Sequence, residues 1–113
     1  MNPASDSQLG RFLTLHGLSS YETLGAKAAL DAQWFWRAVM DFHRLHFFKA
    51  FDTLLDVSKG PQWPQWCVGG TTNLAYNCLD RTLAAGRGDH PAIIWEGENG
   101  ERRALTYQEL ASL

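Results

Sequence analysis

A chain of 113 residues with 45% apolar and 12% aromatic side chains, five of them Trp, carries enough apolar surface for one small folded domain and too much for a disordered segment. Ten Lys and Arg against twelve Asp and Glu give a net charge of −2, split evenly on either side of Ser58, so no basic face points to nucleic acid or an anionic membrane. Two cysteines, Cys67 and Cys78, have neither a second pair nor a His-rich neighbour, which excludes zinc spacing and predicts reduced, half-buried thiols.

Met1 to Gln8 is polar and rich in small residues and reads as a mobile leader, with one domain expected over 9–113. The first dozen residues lack the apolar core of a secretory signal, and their single Arg is too few for a transit peptide, so a cytoplasmic location is expected. Ser19-Ser20-Tyr21-Glu22 has the Ser-x-x-Glu spacing of a capping box and predicts a helix over 20–30. Asp31 is placed to cap the next helix, over 32–43, whose Trp34, Phe35, Trp36, Val39, Met40 and Phe42 wrap apolar side chains around more than half its circumference. Such a helix calls for cover on more than one side.

Leu45 to Val57 fits a helical period through Phe47, Phe48, Phe51, Leu54 and Leu55, but Lys49 and Asp52 interrupt it and an extended loop fits as well. Ser58 to Gly70 contains Gly60-Pro61, Trp63-Pro64 and Gly69-Gly70, which predicts an irregular crossing loop. From Asn73, the positions Leu74, Ala75, Cys78, Leu79 and Leu83 repeat at helical spacing, giving a helix over 73–85 closed by Gly86. A hairpin over 92–105 follows, with Asn99-Gly100 suited to the two positive φ values of a type I′ turn. Thr106 and Glu109 then form a second capping box, and a helix starts at Tyr107. Only seven residues remain from there, whereas an isolated helix below about 12 residues is marginal in water. The expectation is a chain that forms part of something larger.

Candidate chemistry is sparse. His43 and His46 share a spacing compatible with a metal, but no carboxylate or Cys joins them at a ligand interval. Asp80 and Arg81 are adjacent, and adjacent helical residues do not face each other, so an ion pair is the expected role rather than an acid and base. Gly69-Gly70-Thr71-Thr72 resembles a phosphate cradle but lacks the Lys-Ser/Thr of a P-loop and any expected strand before it; a helix cap is the preferred reading. The sequence therefore assigns no catalytic, cofactor-binding or metal residue. Trp34, Trp36, Trp63 and Trp66 are expected to pack onto the remainder of a larger protein, since Trp is enriched both in cores and in binding hot spots. In class the chain reads as α+β: a mainly helical N-terminal segment, an irregular Trp-rich loop and a C-terminal β-hairpin.

Four pieces, in order, carry a resemblance: Tyr21 to Leu24 with Asp31 to Trp36, Trp66 to Asn73, Tyr76 to Arg81, and Glu96 to Leu110. Together they resemble the N-terminal region of the AMP-forming acyl-CoA synthetases, most closely the acetyl-CoA synthetase-like members of the adenylate-forming superfamily. The resemblance implies a fragment of a larger α/β enzyme that is ATP-dependent, joins a carboxylate to AMP with Mg2+ and passes the acyl group to coenzyme A. It also implies that the phosphate loop, the ribose-binding aspartate and the catalytic lysine lie beyond Leu113, so this chain binds no cofactor and is catalytically silent alone. Its expected partner is the remainder of the synthetase, or a second copy through exposed apolar faces. The competing reading is a free-standing helical interaction or regulatory module. A small independent ATP- or CoA-binding protein is disfavoured by the lack of a phosphate site.

Overall fold

The computed structural model describes residues 5–113, which divide into two compact units. The first comprises the described residues up to Leu45 together with Lys49–Gly70; the second comprises His46–Phe48 together with Thr71–Leu113.

The first unit opens with a helix that the sequence reading did not foresee, α1 (Gln8–Leu15). Ser7 Oγ accepts from the Gly10 N–H (2.9 Å) and caps it. Gly17, at φ 63°, ends it, while the N–H groups of Gly17 and Leu18 return to the carbonyls of Thr14 and Leu13 in a Schellman arrangement. Gln8, the last residue of the expected leader, is already helical; the first four residues of that expected leader lie outside the described ones. Next comes α2 (Tyr21–Leu30), whose capping box joins Ser20 and Thr23 in place of the expected Ser19 and Glu22. The frame moves by one residue because the Thr23 hydroxyl serves the Ser20 N–H as well as a carboxylate would.

Asp31 Oδ1 accepts from the Trp34 N–H (2.8 Å) and starts α3 (Ala32–Phe42). Its positions 34, 35, 38, 39 and 42 lie along one face and meet Phe12, Leu13 and Leu24 from α1 and α2 in the core. Phe12 and Phe42 pack edge to face at 5.3 Å. Residues 45–57 are extended rather than helical, ending in β1 (Thr53–Asp56). The expected irregular loop contains a strand, β2 (Gln65–Val68), antiparallel to β1 with Thr53 opposite Val68 and Leu55 opposite Trp66. Pro61 and Pro64 sit in the connection, outside the ladder they would interrupt. Within that connection Asp56 Oδ1 accepts from the Ser58 N–H (2.8 Å), and this bond holds the Asp56 carboxyl below its usual range. Leu54, 2% exposed, is the most deeply buried large side chain among the described residues.

The second unit has no fully buried residue among those described. Asn73 Oδ1 caps its helical segment by accepting from the Tyr76 N–H (3.0 Å). That segment is not a uniform α-helix as expected: Tyr76–Asp80 forms a π turn, followed by α4 (Arg81–Ala84) and a Schellman end at Gly86, φ 72°. β3 (Pro91–Glu96) and β4 (Arg102–Thr106) pair antiparallel, with Ile93 opposite Leu105 and Trp95 opposite Arg103. Their turn differs from type I′, since Gly100 takes positive φ (77°) and Asn99 does not. The Gly100 N–H returns to the Gly97 carbonyl and the Gly97 N–H to the Glu101 carbonyl, a five-residue loop in which one left-handed glycine suffices.

The last helix, α5 (Tyr107–Leu110), is capped by Thr106 Oγ1 accepting from the Glu109 N–H (3.2 Å) while Glu109 Oε2 accepts from the Thr106 N–H (2.8 Å). The Thr106 backbone, and then its hydroxyl, hold the Glu109 carboxyl below its ordinary value. A depressed carboxyl stabilises the folded form above its unfolded pKa, and this contribution disappears as pH falls through the lower folded value. A carbon-detected NMR titration should find the Glu109 midpoint below the ordinary glutamate value, with α5 amide protection lost over the same interval. A Glu109 midpoint unchanged by Thr106→Ala would refute the cap as the cause.

Candidate functional site

All four tryptophans expected to dock belong to the first unit, but they do not form one surface. Trp34 faces inward: its ring meets the His16 ring edge to face at 5.4 Å, it packs against the helical core, and Lys27 Nζ covers its face at 3.9 Å. Trp36 points the other way from α3, because residues two apart on a helix lie on nearly opposite sides. There it meets Trp66 of β2 edge to face, with ring centroids 6.0 Å apart. Trp36 is 43% exposed and Trp66 45%, so the pair is in contact yet uncovered. Trp63, in the β1–β2 connection, is 67% exposed.

Arg37 lies over the Phe51 ring at 5.3 Å and also bears on the Cys67 thiol. Burial pushes the Cys67 thiol up, against the smaller pull of Arg37, which disfavours the thiolate. Cys67 also has φ 50°, a left-handed conformation uncommon for a side-chain-bearing residue. Cys78 is exposed rather than half-buried, and both thiols are free.

The glycine loop is neither a phosphate cradle nor the helix cap, which is Asn73. A strand does precede it, but a Cβ at Gly69 would collide with the Asp52 carboxylate, and the Gly70 N–H is already given to the Cys67 carbonyl (3.0 Å). A carboxylate pressed against the loop opposes a bound anion. The glycines are needed for close approach: Gly69 has φ 81°, and a Cβ on Gly70 would lie 2.9 Å from Phe51 Cβ.

His43 packs on Phe42 in the first unit, whereas His46 packs on Phe48 and Tyr76 in the second. Among the described residues no group of three or more His, Cys, Asp and Glu side chains is placed to hold a metal. The Arg81 guanidinium donates to Asn77 Oδ1 (2.9 Å), one turn back on its own helix. That polar cluster escaped the sequence reading; its only signal was the Asn77-Arg81 spacing of four residues. Also among the described residues, no helix is long and apolar enough to cross a membrane.

Both open faces of the second unit's hairpin are apolar at their centres. Ile93, Trp95, Arg103 and Leu105 line a shallow concavity on one side, and Ile94 is 77% exposed on the other. A strand apolar on both faces is the pattern of a sheet covered on both sides.

Residues 21–78, half of the chain, match the family described as acetyl-coenzyme A synthetase N-terminus. The chain is similar to the acetyl-coenzyme A synthetase of Deinococcus radiodurans, 42% identical over 97% of this chain and 16% of the relative. It is likewise similar to that of Chlorobaculum tepidum, 42% identical over 85% of this chain and 14% of the relative. With the Mycobacterium tuberculosis acetyl-coenzyme A synthetase it shares 51% identity over 60% of this chain and 10% of the relative. The chain thus spans about one-seventh of the length of these relatives and aligns with a single short region of each. It belongs to the acetyl-coenzyme A synthetase N-terminus family.

Proposed function

We propose that this chain is the structural N-terminal part of an AMP-forming acetyl-coenzyme A synthetase and docks onto the remainder of that enzyme without supplying catalytic groups. The observation that carries this reading is the uncovered apolar surface. Trp36, Trp63 and Trp66 in the first unit, and Ile93, Ile94 and Trp95 in the second, stay exposed although the chain has the composition to cover them. Exposed aromatic side chains of this kind mark surfaces that bury against a partner. The relatives are several times longer, which makes the remainder of the same enzyme the natural occupant.

The parent enzyme would then bind ATP, Mg2+ and coenzyme A with residues outside this chain, in a cytoplasmic setting, and act as an acid–thiol ligase on a short carboxylate. The test is acetate-dependent ATP–pyrophosphate exchange. A relative whose matched N-terminal region is replaced by this chain should retain exchange, and this chain by itself should have none. Exchange by the chain alone, or a correctly folded chimaera without activity, would overturn the reading.

A further inference from the structure

The Tyr76–Arg81 motif contributes nothing to the proposed docking surface, yet it holds the densest polar network among the described residues. The chain leaves the first unit at Leu45, gives His46, Phe47 and Phe48 to the second, and returns to the first at Lys49. The strap's Phe48 N–H donates to the Thr71 carbonyl (2.8 Å), and at its His46 end one side chain makes most of the hydrogen bonds. Asn77 Oδ1 accepts from the His46 N–H (2.8 Å), and Asn77 Nδ2 donates to the His46 carbonyl (3.0 Å), so a carboxamide does for one residue what a neighbouring strand would do. Nδ2 is also within hydrogen-bond distance of Thr72 Oγ1 and the Asn73 carbonyl, both at 3.0 Å, and Thr72 Oγ1 itself donates to the His46 carbonyl.

Arg81 fixes which way the carboxamide faces. Its Nη1 donates to Oδ1 (2.9 Å), so turning the amide over would set an NH2 group against the guanidinium and the His46 N–H, donor against donor. Apolar packing is a weaker hold. The rings of His46, Phe48 and Tyr76 lie 5.0–5.1 Å apart, but Phe48 is 59% exposed.

We propose that the Tyr76–Arg81 motif is a latch: the Asn77 carboxamide, oriented by Arg81, holds the His46–Phe48 strap, which opens as a local unit while the helices of the first unit stay folded. Exposed hydrogen bonds contribute little net stability, which makes such an opening accessible well below global unfolding. Asn77 and Arg81 are positioning residues in this device. Hydrogen exchange of the intact protein tests it, comparing the native sequence with Asn77→Ala and Asn77→Asp. In Asn77→Ala the His46 and Phe48 amides should exchange about tenfold faster or more, while amides of Phe12, Leu13 and Leu24 change by less than about twofold. Asn77→Asp keeps the acceptor for the His46 N–H and for Arg81 but loses the donors, so it should fall between the two.

Unchanged exchange over 46–48 in Asn77→Ala would overturn the latch, as would equal acceleration across α1 to α3, which would make Asn77 a general strut. If Asn77→Ala does not fold, Asn77→Asp decides on the same comparison. Global unfolding of both variants also overturns the proposal.

Discussion

Leu54→Ala is expected to destabilise the first unit by about 2–5 kcal/mol, the range for emptying a well-packed leucine site. Leu54 is 2% exposed and sits on β1, one strand of an isolated two-stranded ladder. A hairpin of that size is marginal by itself, so its persistence depends on what it buries. Among the described residues of β1 and β2, Leu54 alone is fully buried. Against a total stability of about 5–15 kcal/mol for an ordinary domain, the loss is large enough to detach the hairpin. Val57→Ala is the control, because Val57 is exposed and should change stability by no more than about 0.5 kcal/mol. Denaturant midpoints of the two variants make the comparison. A Leu54→Ala midpoint indistinguishable from that of Val57→Ala would show that the hairpin is held by something other than this side chain.

Local chemistry was legible in the sequence, and pairing between distant segments was not. Asp31, Thr106 with Glu109, and Gly86 act within a few residues of themselves, so their residue types are informative without any knowledge of the fold; Asn73 acts as locally but was passed over for the glycine loop before it. The same signals were present for α1, where Ser7 and Gly17 bracket an apolar pair, Phe12 and Leu13, but a helix of eight residues offers little periodicity to read. The shift of the α2 cap from Ser19 to Ser20 is a competition between two adjacent serines that only the partner side chain, Thr23, resolves. β2 was hidden because Gly60, Pro61 and Pro64 crowd the connection before it, and the ladder that makes Gln65–Val68 a strand comes from Thr53–Asp56. The Asn77 contact is equally non-local: its side chain meets His46, thirty-one residues away.

The tryptophans illustrate the same boundary at the site. Sequence alone grouped Trp34, Trp36, Trp63 and Trp66 as one docking set. The helical rotation between Trp34 and Trp36 splits it, sending the first into the core beside His16 and the second out to Trp66. Trp34 is a core residue because α1 and α2 cover its side of α3, and Trp36 meets Trp66 because β2 lies on the other; α1 and β2 were the elements that could not be read.

That division makes the Trp36–Trp66 pair the sharpest probe of docking. Alone in this chain, the two rings touch edge to face while remaining nearly half exposed, so their coupling should be about 0.5–1.5 kcal/mol, the usual range for an aromatic pair. If the remainder of a synthetase covers them, each becomes an interface aromatic, and truncation of such an anchor costs about 2 kcal/mol or more. A double-mutant cycle with Trp36→Ala and Trp66→Ala, run on this chain and again on its chimaera with a relative, separates the two contributions. The coupling energy should be similar in both settings, because the ring contact itself is internal to the first unit. The single-mutant costs should be larger by about 2 kcal/mol in the chimaera, because covering the rings adds area and excludes water. Trp63→Ala sharpens the comparison, since a side chain 67% exposed has little to lose in the chain alone and stands to lose as much as the others once covered. Equal costs in both settings would make the pair an internal strut between α3 and β2, leaving the two-sided apolar hairpin of the second unit to carry the docking.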